Sequence, residues 1–592
     1  MRSILPVVLI FCALTYWYLY PGSEALMHSR TDTVMSDGTD ATPLPYSYDL
    51  INQVWKSHPS RFFYGAVYLD GTDPEHGVAL WLPWNERWLA LLASYFVPLE
   101  QVSTAFIYVL FILNGLCMYL LATYLGWNRI LSFALAMAWA FNCYTRARAK
   151  VHGALVGTYH LPLIFLGLYL VVRGQSKRSL IGAMIAFLLA GTAAHYYLVT
   201  CVFLSPVFVL FLMLQEGFFN QWRQVLVRFV LATLPLVLFL GYNFTFAVPS
   251  DARVSKEDSM STPPTQPGQP HPFLPYLQLY HAHPEDYLGG DLGLQVNGVD
   301  WNPLRAMINT EILGHLGLGN AHERSNGIRW SVLALAVLCL GALALGRWTP
   351  PLAYRRNVYF FFGFAIFSLW LSLSPDFPWP NTGASYWLFS VFPKVRVASR
   401  AGIMVHFSLL MLVGFYLSQQ PWMQRNWRWP LAILLLFFID YPPVQGMPMA
   451  PVYPAYSALN RDKGPCATGM TFPFTNGYVE PLIDYVFSQR MRGSDCLSLN
   501  RMSNLTRIQW MTNHFPPTRE FLNQLNTNPT VAANLEKLAR CVPLNWIAFH
   551  DVTPLGWAQA VCFHLGWTFY PDMTCVAPKR DTPMVNFPET CL

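Results

Sequence analysis

The 592-residue chain is 54% hydrophobic and 16% aromatic but only 12% charged, against about 25% charged in an ordinary soluble domain, so most of its surface is built for a solvent other than water. A net charge of +6, with the basic residues scattered over short loops, excludes a nucleic-acid-binding face. Length alone allows about four soluble domains, whereas recurring segments of about 20 apolar residues favour one bundle with one appended domain.

Hydropathy predicts helices near residues 4–20, 100–122, 130–145, 155–172, 180–195, 197–215, 225–246, 330–346, 357–373, 402–418 and 429–441, about eleven spans of a polytopic α-helical membrane protein. The first follows Arg2 as a secretory signal would, but no small-residue cleavage site precedes Tyr20-Pro21, so it reads as an uncleaved first span. Arg2, Arg129, Arg173, Lys177, Arg178, Arg223, Arg228, Arg347, Arg355, Arg356, Arg425 and Arg428 all fall on one side, with Glu216 as their acidic companion. Positive charge in short loops marks the cytoplasmic face. The N-terminus is therefore expected inside, and residues 442–592 outside the cytoplasm. The last span, Pro430 to Ile439, is short and uses Trp427 and Trp429 as interfacial anchors. The expected division is a transmembrane domain over 1–441 and a small soluble α/β domain over 442–592.

Three outward loops, 21–99, 247–329 and 374–401, carry the polar content. The first holds Ser36-Asp37-Gly38-Thr39-Asp40, and Leu44, Tyr48, Ile51 and Trp55 recur at helical spacing after it, so Asp40 or Thr42 reads as the cap of an interfacial helix. The second begins Pro/Ser/Gln-rich and then gathers His271, His281 and His283 with Glu285 and Asp286. Those residue types could bind a divalent metal, although a loop fixes no ligand geometry. Asp70-Gly71-Thr72-Asp73 lacks the length and closing Glu of an EF-hand loop, which excludes calcium there.

Two clusters break the orientation rule. Arg146, Arg148 and Lys150 follow the third span, and Lys394, Arg396 and Arg400 precede the tenth, all on the outward side where positive charge is normally avoided. Something anionic must offset them: a lipid phosphate held by the guanidinium forks, anionic headgroups, or carboxylates from the long loops. His152 follows the first cluster, and His160 lies nearby. His195, Tyr196 and Tyr197 sit between two uncharged spans, where they either line a pocket or form a buried hydrogen-bonded group.

In the C-terminal part, Thr468 to Phe474, Met491 to Leu499, Leu544 to His550 and Phe569 to Ala577 read as strands, and Gly477 to Gln489, Pro529 to Arg540 and Leu555 to Leu565 as helices. It contains no Walker loop, dinucleotide fingerprint or nucleophile elbow. Cys466, Cys496, Cys541, Cys562, Cys575 and Cys591 form an even set there, as expected of disulfides in an oxidising compartment such as a periplasm. Cys12, Cys117, Cys143, Cys201 and Cys339 lie in or at the ends of spans and read as small apolar residues.

Taken in order, Ser36-Asp37-Gly38-Thr39-Asp40, Ala140-Phe141-Asn142 with its basic residues and His152, His195-Tyr196-Tyr197, Lys394 to Arg400, Met470 to Phe474 and Arg492 to Asp495 resemble the pattern of bacterial membrane proteins of the GT-C glycosyltransferase superfamily. The likeness is to members with about eleven spans and a small outward C-terminal domain. It implies a GT-C-like bundle in the bacterial inner membrane that moves a sugar from a polyprenyl-phosphate carrier to an envelope glycan, lipid or protein on the periplasmic face. By position it implies Asp37 as general base, with Asp40 second and His152 nearby. It further implies that Arg146, Arg148, Lys150, Arg396 and Arg400 hold the donor phosphate, with His195, Tyr196 and Tyr197 at the pocket. A divalent metal at the His271, His281 and His283 group stays open as a cofactor. A transporter or flippase would carry mid-span charges and inverted repeats, and the sequence shows neither. A non-catalytic envelope assembly protein using the soluble domain to bind stays open.

Overall fold

The computed structural model describes residues 4–30, 33–35, 55, 84–151, 153–174, 176–193, 205–210, 212–214, 221–246, 274, 277, 281–282, 284–287, 326–391, 397–440, 449–451, 468–472, 544–549, 555–570 and 574–576. Helices dominate. In chain order they are α1 (Ile4–Tyr18), α2 (Gly22–Met27), α3 (Trp84–Ala93), α4 (Leu99–Tyr124), α5 (Arg129–Ala140), α6 (Cys143–Val151), α7 (His160–Arg173), α8 (Lys177–Gly191), α9 (Trp222–Phe246), α10 (Trp330–Ala344), α11 (Leu352–Ser372), α12 (Ala384–Val391), α13 (Gly402–Ser418), α14 (Pro421–Arg425), α15 (Arg428–Asp440) and α16 (Leu555–Leu565).

Gln101–Tyr124, Trp222–Phe239 and Ala398–Ser418 are long and apolar enough to cross a membrane. Ile4–Tyr18, Arg129–Ala140, His160–Arg173, Ser205–Leu214 and Trp330–Ala344 are shorter apolar helices. The chain is thus a helical protein with the length and composition for membrane association. Of the eleven expected spans, three contain helices long and apolar enough to cross a membrane among the described residues; the segment expected as a single helix over 130–145 breaks after Ala140 and restarts at Cys143, and α2, α3 and α12 lie in stretches expected as outward loops.

Local chemistry explains the boundaries. Asn128 caps α5, its side-chain oxygen accepting from the Ile130 N–H, and Ser176 caps α8 in the same way through Ser179. Gly126 turns the chain between α4 and α5 at φ +81°. Its N–H donates to the Thr123 carbonyl and that of Trp127 to Ala122, which satisfies the last carbonyls of α4. This turn makes α4 and α5 antiparallel neighbours.

One apolar core runs through the bundle from Phe11 to Phe437. α5 lies against α4, α13 and α15, while α13 also packs on α10 and α11. The C-terminus of α5 and the N-terminus of α13 meet at one end of the bundle, where the Trp139 and His406 rings are 6.1 Å apart; we call this the site end.

Two small sheets accompany the helices. Strand β1 (Thr33–Met35) pairs antiparallel with β2 (Met449–Pro451), Val34 opposite Ala450, joining the first loop to the chain beyond α15. The second sheet contains β3 (Thr468–Phe472), β4 (Leu544–Phe549), β5 (Thr568–Tyr570) and β6 (Thr574–Val576) in the order β3-β4-β6-β5. The β3–β4 pair is parallel and the others antiparallel. The single strand expected over 569–577 is instead a hairpin of β5 and β6. A disulfide joins Cys562 of α16 to Cys575 of β6. Cys12, Cys117 and Cys339 are free thiols. The strand expected over 491–499 and the helices expected over 477–489 and 529–540 lie outside the described residues, as does nearly all of the interfacial helix expected over 42–57.

Candidate anion-binding site

The break between α5 and α6 builds the site. A helix end leaves its last four carbonyls without intrahelical partners, and here three have a hydrogen-bond donor. The Phe141 N–H donates to the Met137 carbonyl. The Ala138 carbonyl lies within interaction range of His406 on α13. Asn142 Nδ2 donates to the Trp139 carbonyl at 2.5 Å, and Thr145 Oγ1 to that of Ala140 at 2.8 Å. Asn142 also accepts from the Thr145 N–H through Oδ1 at 2.9 Å, so one buried side chain closes α5 and caps α6. Phe141 fills the corner, stacked on Tyr18 of α1 at 4.0 Å and on Phe111 of α4 at 5.5 Å.

α6 then carries the first basic cluster. Arg146 is 2% exposed with its guanidinium 5.8 Å from the Tyr18 ring, and Arg148 is fully buried with its guanidinium 4.9 Å from the Tyr144 ring. Both make further interactions in the fold. Both side chains are buried in the bundle rather than exposed on a loop. Lys150 continues α6.

The second basic cluster enters from α13. Arg400 is half-buried in the turn Ala398–Ala401 that leads into α13. Asn326 Nδ2 donates to the Ser399 carbonyl at 2.9 Å and holds that turn. Gly402 is required beside it, because a Cβ there would come within 2.4 Å of the Asn326 amide carbon. Because α5 and α13 pack together through Trp139 and His406, Arg146, Arg148 and Arg400 all belong to the site end.

The structure adds residues the sequence reading missed. Arg329, the residue before α10, lies within electrostatic range of His406; it sits just outside an apolar helix, as Arg400 does. Asp440 at the end of α15 accepts from the N–H and hydroxyl of Ser331 at 2.8 and 2.6 Å, which anchors the start of α10. Arg87 of α3 is buried with its guanidinium 4.8 Å from the Trp84 ring, and burial pulls its pKa down to about 10.

Asp37, Asp40, His152, His195, Tyr196, Tyr197, Lys394 and Arg396 lie outside the described residues. Their flanks are described. β1 ends at Met35, two positions before Asp37, and packs on α2 and α4, while Gln101 of α4 donates to the Arg30 carbonyl at 3.0 Å. Thr192, three positions before His195, receives the Asn85 N–H at its carbonyl and meets the Tyr159 hydroxyl at 3.1 Å. His160 hydrogen-bonds the Gly157 carbonyl through Nδ1 at 2.9 Å, in keeping with a buried structural role. Among the described residues, no group of three or more His, Cys, Asp or Glu side chains is placed to hold a metal; His271 and His283 fall outside them. Compared with protein-family models and with curated proteins, the chain matches none.

Proposed function

We propose that the chain is a GT-C-like membrane glycosyltransferase with about eleven spans, embedded in the bacterial inner membrane with its site end and its 442–592 domain on the periplasmic side. The observation that supports this reading is that α6 with Arg146 and Arg148 follows the end of α5, Arg400 lies in the turn that leads into α13, and α5 and α13 meet through Trp139 and His406. A concentration of guanidinium groups at one helix end suits a phosphate-bearing lipid, since paired N–H donors match phosphate oxygens.

In this reading the donor is a polyprenyl-phosphate-linked sugar and the acceptor an envelope hydroxyl. Asp37 takes the hydroxyl proton while the acceptor oxygen bonds to the anomeric carbon. The bond between that carbon and the phosphate oxygen breaks, and its electron pair leaves with the polyprenyl phosphate. The arginines stabilise the charge that develops on the departing oxygen. Asp37 is suited by position: chain geometry keeps it within about 7 Å of Met35, whose strand leaves the site end beside α2 and α4. Asp40 is the second candidate and His152 lies on the segment that follows α6. Lys150 and Arg396 complete the basic set, and His195, Tyr196 and Tyr197 follow the anchored Thr192.

Binding of polyprenyl phosphate to protein in nanodiscs tests the anion site. Arg146→Ala or Arg400→Ala is expected to weaken it by about tenfold or more, roughly 1.5–3 kcal/mol for a charge-assisted pair, with Lys restoring only part because it lacks the planar fork. Unchanged affinity in both Ala variants would remove the phosphate role.

A further inference from the structure

From Asn357 to Val391 Asp376 is the single charged residue, and the segment exposes large apolar side chains along its whole course. α11 has 21 residues, about 30 Å at 1.5 Å per residue, and packs along the membrane-length α13. Phe361 and Phe364 face inward, whereas Tyr359, Phe362, Ile366, Phe367 and Trp370 are exposed at helical spacing. From Tyr359 to Trp370 that outer stripe carries no charge, as a lipid-facing surface requires; exposed Arg355, one turn before Tyr359, marks its end.

Beyond α11 the chain folds into a loop fixed by its own hydrogen bonds. The Phe377 N–H donates to Ser374 and the Gly383 N–H to the Pro375 carbonyl at 2.8 Å. The Asp376 carboxylate accepts from the Asn381 N–H at 3.0 Å. The Trp370 indole N–H reaches back to the Phe377 carbonyl at 3.3 Å, tying the loop to the helix. This loop holds Trp379 69% exposed, with Phe377 half exposed. α12 continues the surface, with Trp387 and Val391 one turn apart and 64% and 67% exposed. Its other face buries Phe389 against Leu277 and Ala398.

Large apolar side chains left in water forfeit the favourable free energy of burial. A loop tied down so that it presents them must therefore meet another apolar phase. We propose that residues 373–391 form an interfacial anchor whose partner is the phospholipid bilayer, with Trp379 and Trp387 at the boundary between headgroups and acyl chains. Three observations select lipid: the patch continues the uncharged outer stripe of α11, it lacks any cation, and its aromatic residues include indoles, which favour that boundary because the ring is apolar and the N–H polar. The proposal rests on α11 spanning the membrane and is independent of sugar transfer. Since Phe389 packs on Ala398, two positions before Arg400, the anchor also fixes the height of the Arg400 turn relative to the lipid phosphates.

The test places a fluorescent amino acid at position 379, 387, 366 or 563 of the full chain in phosphatidylcholine–phosphatidylglycerol nanodiscs, with quenching by nitroxide lipids and by aqueous iodide. Reporters at 379 and 387 are expected to be quenched by a nitroxide near the headgroup and severalfold less by iodide than the reporter at Phe563, which is 89% exposed. The reporter at Ile366 should respond to a nitroxide deeper in the acyl chain. Lipid quenching at 366 with iodide quenching at 379 and 387 overturns the anchor while leaving α11 in the membrane. Iodide quenching at all three overturns both. Shielding of 379 and 387 from iodide and lipid alike would assign the patch to a protein partner and equally overturn the proposal.

Discussion

The indole of Trp139 and the imidazole of His406 lie 6.1 Å apart, inclined by 30°, and this contact joins two arginine-bearing segments that are remote in sequence. Trp139 is the penultimate residue of α5, and its carbonyl is held by Asn142, the residue that restarts the chain as α6. The placement of Arg146 and Arg148 therefore depends on Asn142 as much as on their own contacts.

Replacing Asn142 by Ala removes a helix cap, worth about 1 kcal/mol, and strands the buried Trp139 carbonyl at a further cost of about 1–3 kcal/mol. Asn142→Asp keeps the capping oxygen but loses the donor, so its loss should be smaller. Unfolding of detergent-solubilised protein, followed by circular dichroism, is expected to rank wild type above Asp and Asp above Ala. Equal stability of all three would show that the break does not depend on this side chain.

Gly402 and Asn326 form a second testable pair. A methyl group at 402 collides with the Asn326 amide, so Gly402→Ala should displace it, free the Ser399 carbonyl and lower stability by about 1–3 kcal/mol. Asn326→Ala makes room for that methyl, and the double variant should be less destabilised than the sum of the singles. Strict additivity would mean that the two residues do not share a space.

The helices were legible because long apolar runs leave few alternatives, and the ends at Asn128, Ser176 and Gly126 follow ordinary cap chemistry. The break at Asn142 was not, since hydropathy continues through Cys143 and Tyr144 and the partners that stabilise it include His406 from a distant helix. The burial of Arg146 was hidden for the same reason: its ring partner, Tyr18, belongs to α1. The β5–β6 hairpin was read as one strand although Pro571-Asp572 is an ordinary turn signal; the apolar residues on either side outweighed it. The expected breach of the orientation rule singled out the arginines on α6 and before α13, and the same expectation applied to the end of the second loop would have singled out Arg329.

Orientation has its own test. Reporter fusions or impermeant labelling should place Gln175 in the cytoplasm and Glu520 outside it, and Cys562 and Cys575 should react with an alkylating reagent only after reduction. A cytoplasmic Glu520 would reverse the last span and put the C-terminal domain in a reducing compartment.

Sugar transfer with Asp37 as base is measured most directly by release of polyprenyl phosphate. Wild-type protein in proteoliposomes is supplied with polyprenyl-phosphate-linked sugars and an envelope acceptor extract, beside folded Asp37→Asn protein. Release of polyprenyl phosphate by the wild type is expected, with a loss of about 100-fold or more in the variant, the range of a positioned general base, and with polyprenyl phosphate binding retained. Release by Asp37→Asn at the wild-type rate, or no release by the wild type from any donor, would contradict that expectation.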